Sequence, residues 1–447
     1  MILDRLPFIK NRLDFHMREV VSGAAVAFAI RLIGAGLEFG FTVLLARMLG
    51  ADGTGIYFLA FTVVTIGTVF GRMGLDNVML RFTAANAVVE DWKAVKGVYR
   101  QGIKLAFAAS TAAALVIFIS APILAEQIFK KPDLLIPLRW MALAVVPLSL
   151  LYLHAESLKG LKRILDSQLV YGVGVPALSL AGVHFLSGYW GVLGAVWAFT
   201  IASVITAIAG FWLWKVATPQ LKDIEGTFSI RKILNSCLPL FWARSMRLAL
   251  GWTAPFMLGI WGTKSDVGIF SAALRVSLLM SIFLFAFNSI AAPKFAALYK
   301  QRDMDALNST ARKTTLLMLI LTSPVFILFF FTPDWVMSLF GSRFSEEGSA
   351  VLAILAVGQL INVMTGPVGY LLAMSGNERP LRNNVAAALA LNVILNAILI
   401  PLAGVVGVAL SMAISLAVLN LGLMYMVKSR LGIITIPFAP KRRLTRS

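Results

Sequence analysis

Long apolar stretches follow one another along almost the whole chain, and short polar connections separate them. A helix needs about 20 mostly apolar residues to cross a membrane, and twelve stretches reach or approach that length. Gly, Pro or charged residues mark most of the connections, as at 49–53 and 130–133. The pattern therefore predicts an all-α polytopic membrane protein with twelve transmembrane helices. Their expected limits are 20–46, 54–71, 99–121, 135–155, 168–187, 192–214, 234–260, 266–292, 314–331, 350–374, 383–401 and 405–427.

The composition agrees with this pattern. Hydrophobic residues make up 59% of the 447 residues and charged residues 14%, and the mean hydropathy is +0.84. Soluble domains carry about 25% charged residues, so this chain lacks the polar surface that a soluble protein needs. The single cysteine, Cys237, excludes an internal disulfide, and the three scattered histidines give no metal-ligand pattern. We predict no metal site, no cofactor and no catalytic residue.

The net charge of +19 first suggests a nucleic-acid partner, but its distribution gives another explanation. If the N-terminus is cytoplasmic, 30 of the 40 Lys and Arg residues lie in the segments on the inner side and six lie on the outer side. Such an asymmetry is typical of cytoplasmic loops in membrane proteins. The charge therefore predicts a topology with both termini cytoplasmic and an attraction to anionic membrane lipids, and no nucleic-acid partner.

The two halves of the sequence match weakly at a constant offset of 213 residues. Gly55-Ile56-Tyr57 aligns with Gly268-Ile269-Phe270, and Gly191 aligns with Gly404. Six predicted spans separate the copies, so both copies cross the membrane in the same direction. This is a parallel repeat, a known transporter design in which the binding site lies near the seam between the two lobes.

The repeat and the charge pattern together predict five regions. Their limits are a cytoplasmic surface segment (1–19), an N-lobe of six spans (20–214), a cytoplasmic linker (215–233), a C-lobe of six spans (234–427) and a basic cytoplasmic tail (428–447).

Four arginines lie inside the predicted spans: Arg31, Arg244, Arg247 and Arg275. A lipid-facing Arg at the bilayer centre costs at least about 2.5–3.5 kcal/mol, so these side chains should face the protein interior or a water-filled cavity. Glu38 is the one acid at a comparable depth, which leaves a surplus of positive charge. Because guanidinium groups bind phosphate oxygens in pairs, we predict that the four arginines bind a diphosphate. Snorkelling or pairing with backbone carbonyls is the alternative.

Three polar residues in the spans are candidates for a coupling-ion site: Glu38, Asn392 and Asn396. A carboxylate at membrane depth can carry H⁺ or bind Na⁺, although Glu38 lies two helical turns from Arg31 and could simply pair with it. Asn392 and Asn396 share a helix face, and their amide oxygens could coordinate Na⁺. Hydrogen bonds between helices are the commoner role of such residues.

The segment 45–57, followed by Gly74-Leu75-Asp76 and Arg81, resembles the N-terminal signature of the Wzx-type polysaccharide flippases. These belong to the MOP superfamily, which also contains the lipid II flippase MurJ and the MATE exporters. The resemblance implies two six-helix bundles around a cationic cavity, with lumenal arginines on the first, seventh and eighth spans. It implies a bacterial inner-membrane protein that moves an undecaprenyl-diphosphate-linked oligosaccharide by alternating access for surface polysaccharide such as O-antigen. Contact with other polysaccharide assembly proteins stays open.

Two other functions remain open from the sequence. A MATE-like exporter coupled to a cation should have acids in its cavity, whereas the spans of this chain hold more arginines than acids. A glycan polymerase or ligase should have large catalytic loops outside the membrane. The longest outer connection, 332–349, is short and holds no paired catalytic constellation, so we predict a transporter and not an enzyme.

Overall fold

The computed structural model describes the backbone of residues 15–437. It describes side chains from residue 28 onward, except at positions 238–240, 242–244, 247, 286, 289, 290 and 293. The predicted surface segment and tail therefore lie partly outside the described residues, at 1–14 and 438–447.

Within the described range the chain is built of helices. In order they are α1 (Phe15–Arg72), α2 (Leu75–Val88), α3 (Trp92–Pro122), α4 (Leu135–Ala142), α5 (Val145–Gly160), α6 (Ile164–Gln168), α7 (Gly174–Ala217), α8 (Ile230–Trp261), α9 (Lys264–Leu278), α10 (Ser281–Lys300), α11 (Met304–Phe331), α12 (Pro333–Ser338), α13 (Ser342–Thr365), α14 (Val368–Met374) and α15 (Glu378–Leu431). A π-helical turn, Ile123–Ile128, extends α3, and a second, Leu169–Val173, joins α6 to α7.

The three longest helices are hairpins, each folded at one non-helical glycine. In α1 the break is at Gly50 (φ 64°, ψ −175°), and the rings of Phe41 and Tyr57 on its two arms lie 5.7 Å apart. A straight helix would separate these residues by about 24 Å. In α15 the break is at Gly404, and Asn384 on one arm and Leu419 on the other are joined by a hydrogen bond of 3.0 Å.

Unfolding these hairpins into their arms gives the spans that the sequence predicts. Six described helices are long and apolar enough to cross a membrane, and the bent pair α4–α5 makes a seventh. α1, α7 and α15 each contribute two arms, α3, α8 and α11 one span each, and the pairs α4–α5, α9–α10 and α13–α14 one bent span each. The prediction of twelve helices is confirmed. The structure differs from it at the turns, which occupy a single glycine where the sequence indicates connections of several residues.

The internal repeat is confirmed by matching backbone conformations. Gly191 has φ 53° and ψ −129°, and Gly404, which lies 213 residues later, has φ 52° and ψ −128°. Both lie in the left-handed region, which a side chain rarely adopts. Asp91 and Asp303 also correspond, since each side chain accepts a hydrogen bond from the backbone N–H three residues further on, at the start of α3 and of α11. The chain is therefore two copies of one six-helix lobe.

The turn glycines define two ends of the molecule. We call the end that holds Gly50, Gly191 and Gly404 the hairpin end. The opposite end, which holds Phe15, the linker after α7 and the segment after α15, is the terminal end.

The Gly74-Leu75-Asp76 part of the family signature has a structural role at the terminal end. Gly74 has φ 77°, and a Cβ atom there would lie 2.7 Å from the carbonyl oxygen of Cys237 in α8. Asp76 is buried and accepts a hydrogen bond of 3.1 Å from Arg72, whose guanidinium lies 4.3 Å from the centre of the Tyr152 ring. The motif thus fixes the turn between α1 and α2 and brings α8 of the C-lobe against it.

We expect Gly194→Ala and Gly407→Ala to lower the melting temperature of the purified protein. Each added Cβ would overlap a backbone carbonyl of the opposite hairpin arm, that of Leu186 or that of Leu399. Overpacking of this kind costs about 1–3 kcal/mol. Gly36→Ala is the control, because no heavy atom lies within 4 Å of its Cβ position. Equal melting temperatures for the three variants would contradict this account of the hairpins.

Candidate functional site

The two lobes meet along a seam, and at the hairpin end they meet backbone to backbone. The second arm of α1 crosses α9 at Gly55 and Gly268, which are equivalent positions of the repeat. A Cβ atom on Gly55 would overlap the carbonyl of Lys264, and one on Gly268 would overlap the carbonyl of Ala51. The absence of side chains at these two positions lets the helices approach closely.

Arg275 reaches across this seam from the C-lobe. The start of α9 is fixed by a capping box, in which Thr263 and Asp266 exchange hydrogen bonds between side chain and backbone. Three turns later the Arg275 guanidinium pairs with the Glu38 carboxylate of the N-lobe and lies 4.5 Å from the ring centre of Phe58. The Arg275 side chain is 18% exposed and that of Glu38 is 51% exposed. The pair is therefore solvated on its N-lobe side.

The aromatic contacts of Arg275 belong to a cluster inside the N-lobe. The guanidinium also lies 5.0 Å from the ring of Phe61, and Phe61 packs edge-on against Phe199 at 5.4 Å. Tyr57 is buried beside them, with its ring 5.4 Å from that of Phe58. A guanidinium over an aromatic face is attracted by the ring quadrupole. The N-lobe therefore offers Arg275 a socket that consists of one carboxylate and two ring faces.

Arg31 crosses the seam in the opposite direction. It lies on the first arm of α1 in the N-lobe, and its guanidinium is 4.2 Å from the ring centre of Phe285 in α10 of the C-lobe. Both Arg31 and Phe285 are exposed. The ion pair that the sequence left open between Arg31 and Glu38 is replaced by the pair between Glu38 and Arg275. Arg31 and Arg275 thus both lie at the seam.

The other two arginines of the predicted site lie on α8, but their side chains are outside the described residues. α8 borders the seam, since Phe241 in this helix stacks on Phe70 of the N-lobe with ring centres 5.6 Å apart. Arg244 and Arg247 follow Phe241 by three and six residues on the same helix. The predicted grouping of four arginines therefore stays a prediction for these two positions.

Asn392 and Asn396 lie inside the C-lobe and not at the seam. Both are fully buried between the arms of α15. The Asn392 amide donates to the Ser415 hydroxyl at 3.2 Å and to the Ser411 carbonyl at 3.4 Å, and the Asn396 amide donates to Asn392 Oδ1 at 2.9 Å. Asn396 Oδ1 has no hydrogen-bond partner. The structure thus separates the three coupling-ion candidates into Glu38 at the seam and an asparagine pair within the lobe.

The sequence analysis did not identify the rings that hold the arginines. Phe58, Phe61 and Phe285 read as ordinary membrane-facing residues in an apolar chain. One signal was present, because Tyr57 and Phe58 follow the glycine of the repeated Gly-Ile-aromatic motif. That motif marks the crossing of the lobes, and residues beside a crossing lie at the seam.

Solved structures show which class of protein has this architecture. The lipid II flippase MurJ in an inward closed conformation superposes with a TM-score of 0.74 at 16% identity, over 90% of this chain and 87% of that one. An inward-facing multidrug resistance transporter of the MATE family gives 0.72 at 17% identity, over 92% and 98%. The fold is therefore that of the MOP superfamily of multi-pass membrane transporters, as the resemblance implied.

The family follows from the sequence comparisons. A family model described as polysaccharide biosynthesis protein matches residues 20–299, more than half of the chain, and a model described as MatE matches residues 242–398. The chain belongs to the family of polysaccharide biosynthesis proteins. A probable low-salt glycan biosynthesis flippase of Haloferax volcanii is 25% identical over 406 residues, which cover 88% of this chain and 80% of that protein. The resemblance drawn from the signature is confirmed.

We expect a double-mutant cycle on Glu38 and Arg275 to show that the pair stabilises the seam. Glu38→Gln and Arg275→Gln should each lower the melting temperature, and the double variant should lower it by less than the sum, with a coupling of about 0.5–1 kcal/mol. Arg343 and Glu347, an exposed pair at 3.1 Å, are the control and should couple by about 0.3–0.5 kcal/mol. Additive effects at Glu38 and Arg275 would show that their contact does not stabilise the seam.

Proposed function

We propose that this protein is a flippase that carries a polyprenyl-diphosphate-linked oligosaccharide across the membrane by alternating access. The observation that carries the proposal is the pair of guanidinium groups at the seam. Among the described residues, the one carboxylate in contact with them is Glu38, which pairs with Arg275. The contact described for Arg31 is a ring face, and this contact does not neutralise its charge.

A surplus of guanidinium charge at membrane depth favours an anionic substrate. A diphosphate fits, because its oxygens accept paired hydrogen bonds from guanidinium groups. The exposed side of Glu38 and Arg31 leaves room for an incoming group to compete for Arg275 and to contact Arg31. In this proposal the phosphates lie at the seam, the glycan lies in water between the lobes, and the lipid tail stays in the bilayer. No covalent step is required of a transporter of this kind.

The positive-inside asymmetry supports an orientation for this cycle. We assign the terminal end to the cytoplasm and the hairpin end to the opposite side. The chain would then receive its substrate at the terminal end and release it at the hairpin end. We further propose undecaprenyl as the lipid and the bacterial inner membrane as the location. These two assignments rest on the resemblance alone, since the curated relative is from Haloferax volcanii.

A cation-coupled small-molecule exporter of the MATE type is the second candidate, because the MatE model matches residues 242–398. A cationic substrate would need a free carboxylate at the seam. Glu38 is the described acid in that position, and it is held by Arg275. The arrangement therefore favours an anion over a cation.

We expect Arg31→Gln and Arg275→Gln each to weaken the apparent affinity for the lipid-linked substrate by about 10- to 100-fold. Charge-assisted hydrogen bonds contribute about 1.5–3 kcal/mol each, and 1.4 kcal/mol is tenfold. Arg244→Gln and Arg247→Gln should have similar effects if these residues complete the site. The measurement is transport of a fluorescent polyprenyl-diphosphate oligosaccharide in proteoliposomes.

Arg302→Gln is the matched control for these variants, because Arg302 is exposed at the terminal end and away from the seam. It should transport like the parent. Parent-like transport by all four seam variants would contradict the proposal. Export of organic cations by the parent, with no transport of the lipid-linked substrate, would favour the second candidate.

For the coupling ion we propose Na⁺ at the asparagine pair or H⁺ at Glu38. Asn396 Oδ1 is buried without a partner, and Asn392 Oδ1, Ser411 and Ser415 place further oxygens near it. Oxygen ligands of this kind suit a hard cation. At Glu38 the exposed carboxylate could instead exchange a proton when Arg275 leaves it.

We expect Asn396→Leu to abolish the stimulation of transport by an inward Na⁺ gradient. Asn384→Leu is the control, because Asn384 lies on the same arm of α15 and donates to the Leu419 carbonyl. If the parent responds to a pH gradient and not to Na⁺, Glu38→Gln should lose that response. An Asn396→Leu protein that keeps its full Na⁺ dependence would remove the asparagine pair from the proposal.

A further inference from the structure

Lys131 lies in the connection between α3 and α4, at the hairpin end of the N-lobe, and is 6% exposed. Its ammonium group donates three hydrogen bonds, to the carbonyls of Phe129 at 3.1 Å, Gly259 at 2.6 Å and Gly262 at 2.9 Å. The first acceptor belongs to its own lobe. The other two form the carboxyl end of α8 in the C-lobe. One side chain therefore closes all three donor positions of its ammonium group onto backbone oxygens, two of them across the seam.

The Gly259 carbonyl is available to Lys131 because its usual partner is engaged elsewhere. In a continuing helix the amide of residue 263 would donate to it. Here the Thr263 amide donates to Asp266 at 2.7 Å, within the capping box of α9. The end of a helix leaves such carbonyls unpaired and carries partial negative charge. A cation at this position both satisfies the carbonyls and is attracted by the helix dipole.

The surroundings of Lys131 form the contact between the lobes at this end. The ring of Phe129 packs edge-on against that of Phe256 in α8, with centres 5.2 Å apart. A Cβ atom on Gly259 would lie 2.5 Å from a methyl carbon of Leu59. Nearby, the helices cross at Gly55 and Gly268, as described above. The buried ammonium is thus the polar fastening of an otherwise apolar and backbone-to-backbone closure.

Two exposed ion pairs flank this closure, between Lys264 and Asp133 and between Arg343 and Asp52. Exposed pairs contribute little, about 0–1 kcal/mol. Lys131 differs from them because it is buried, and burial lowers the pKa of its ammonium group, while Asp266 opposes that shift and Lys264 adds to it. A buried ammonium that lost its acceptors would have to be solvated anew.

We infer that Lys131 is the latch that keeps the hairpin end closed. It does so by capping the carboxyl end of α8, and the hairpin end opens only when these hydrogen bonds break. This inference goes beyond the proposed function, since it concerns the conformational equilibrium of the carrier and holds for any cargo.

The test is a distance measurement between the lobes. The native cysteine is replaced by Cys237→Ser, and spin labels are placed at Tyr189 and Trp335, which are 84% and 59% exposed at the hairpin ends of the N-lobe and C-lobe. Electron–electron double resonance in nanodiscs then gives the distance distribution. A second label pair at Val88 and Glu378 reports the terminal end in the same way.

We expect Lys131→Met to raise the population of the longer hairpin-end distance on the order of tenfold, because the hydrogen bonds of the charged group are lost. The terminal-end distance should shorten in the same sample, which distinguishes opening from unfolding. Lys130→Met is the matched control. Lys130 is the neighbouring, exposed lysine, and its removal should leave both distributions unchanged.

A Lys131→Met distribution identical to those of the parent and of Lys130→Met would overturn the inference. If Lys131→Met yields no folded protein, Lys131→Gln provides the test, because an uncharged amide keeps two donors. It should open the hairpin end less than a complete loss of the latch, but measurably. A parent-like distribution for Lys131→Gln would then overturn the inference. Because no substrate is present, the result is independent of the proposed cargo.

Discussion

The cost of placing a guanidinium group in a bilayer governs the arrangement of this molecule. An arginine at membrane depth must find a carboxylate, an aromatic face, a carbonyl or water, and in this fold the described arginines find them at the contact between the lobes. Arg275 enters a socket of Glu38, Phe58 and Phe61 in the opposite lobe, and Arg31 lies on Phe285 across the same seam. Every contact that relieves the cost of these charges is therefore also a contact that holds the two lobes together.

This coupling between charge and lobe contact suits a carrier. A group that competes for Arg275 or Arg31 changes the same interactions that fix the relative position of the lobes. A ligand shifts a conformational equilibrium only through contacts that differ between the states, and these side chains supply such contacts. At the hairpin end the closure is of another kind, with glycine pairs, ring packing and the buried ammonium of Lys131.

Much of the fold could be predicted because a membrane reduces the choice of structures. Backbone groups in hydrocarbon must pair within their own segment, so apolar length and turn residues suffice to place twelve helices. The offset of 213 residues indicated two lobes, and the equal conformations of Gly191 and Gly404 confirm it. The sequence did not indicate that α1, α7 and α15 turn at a single glycine, since polar residues on both sides of each turn suggest a longer loop.

The sequence by itself determined the class of the molecule, the number of spans, the repeat and the presence of surplus arginines at membrane depth, because each follows from composition or from local periodicity. The tertiary structure alone decided which groups these arginines meet. Glu38 pairs with Arg275, 237 residues away, and not with Arg31 on its own helix. Lys131 caps a helix of the other lobe, 128 residues away. Such partners depend on how two lobes are set against each other, and no local pattern in either lobe encodes that relation.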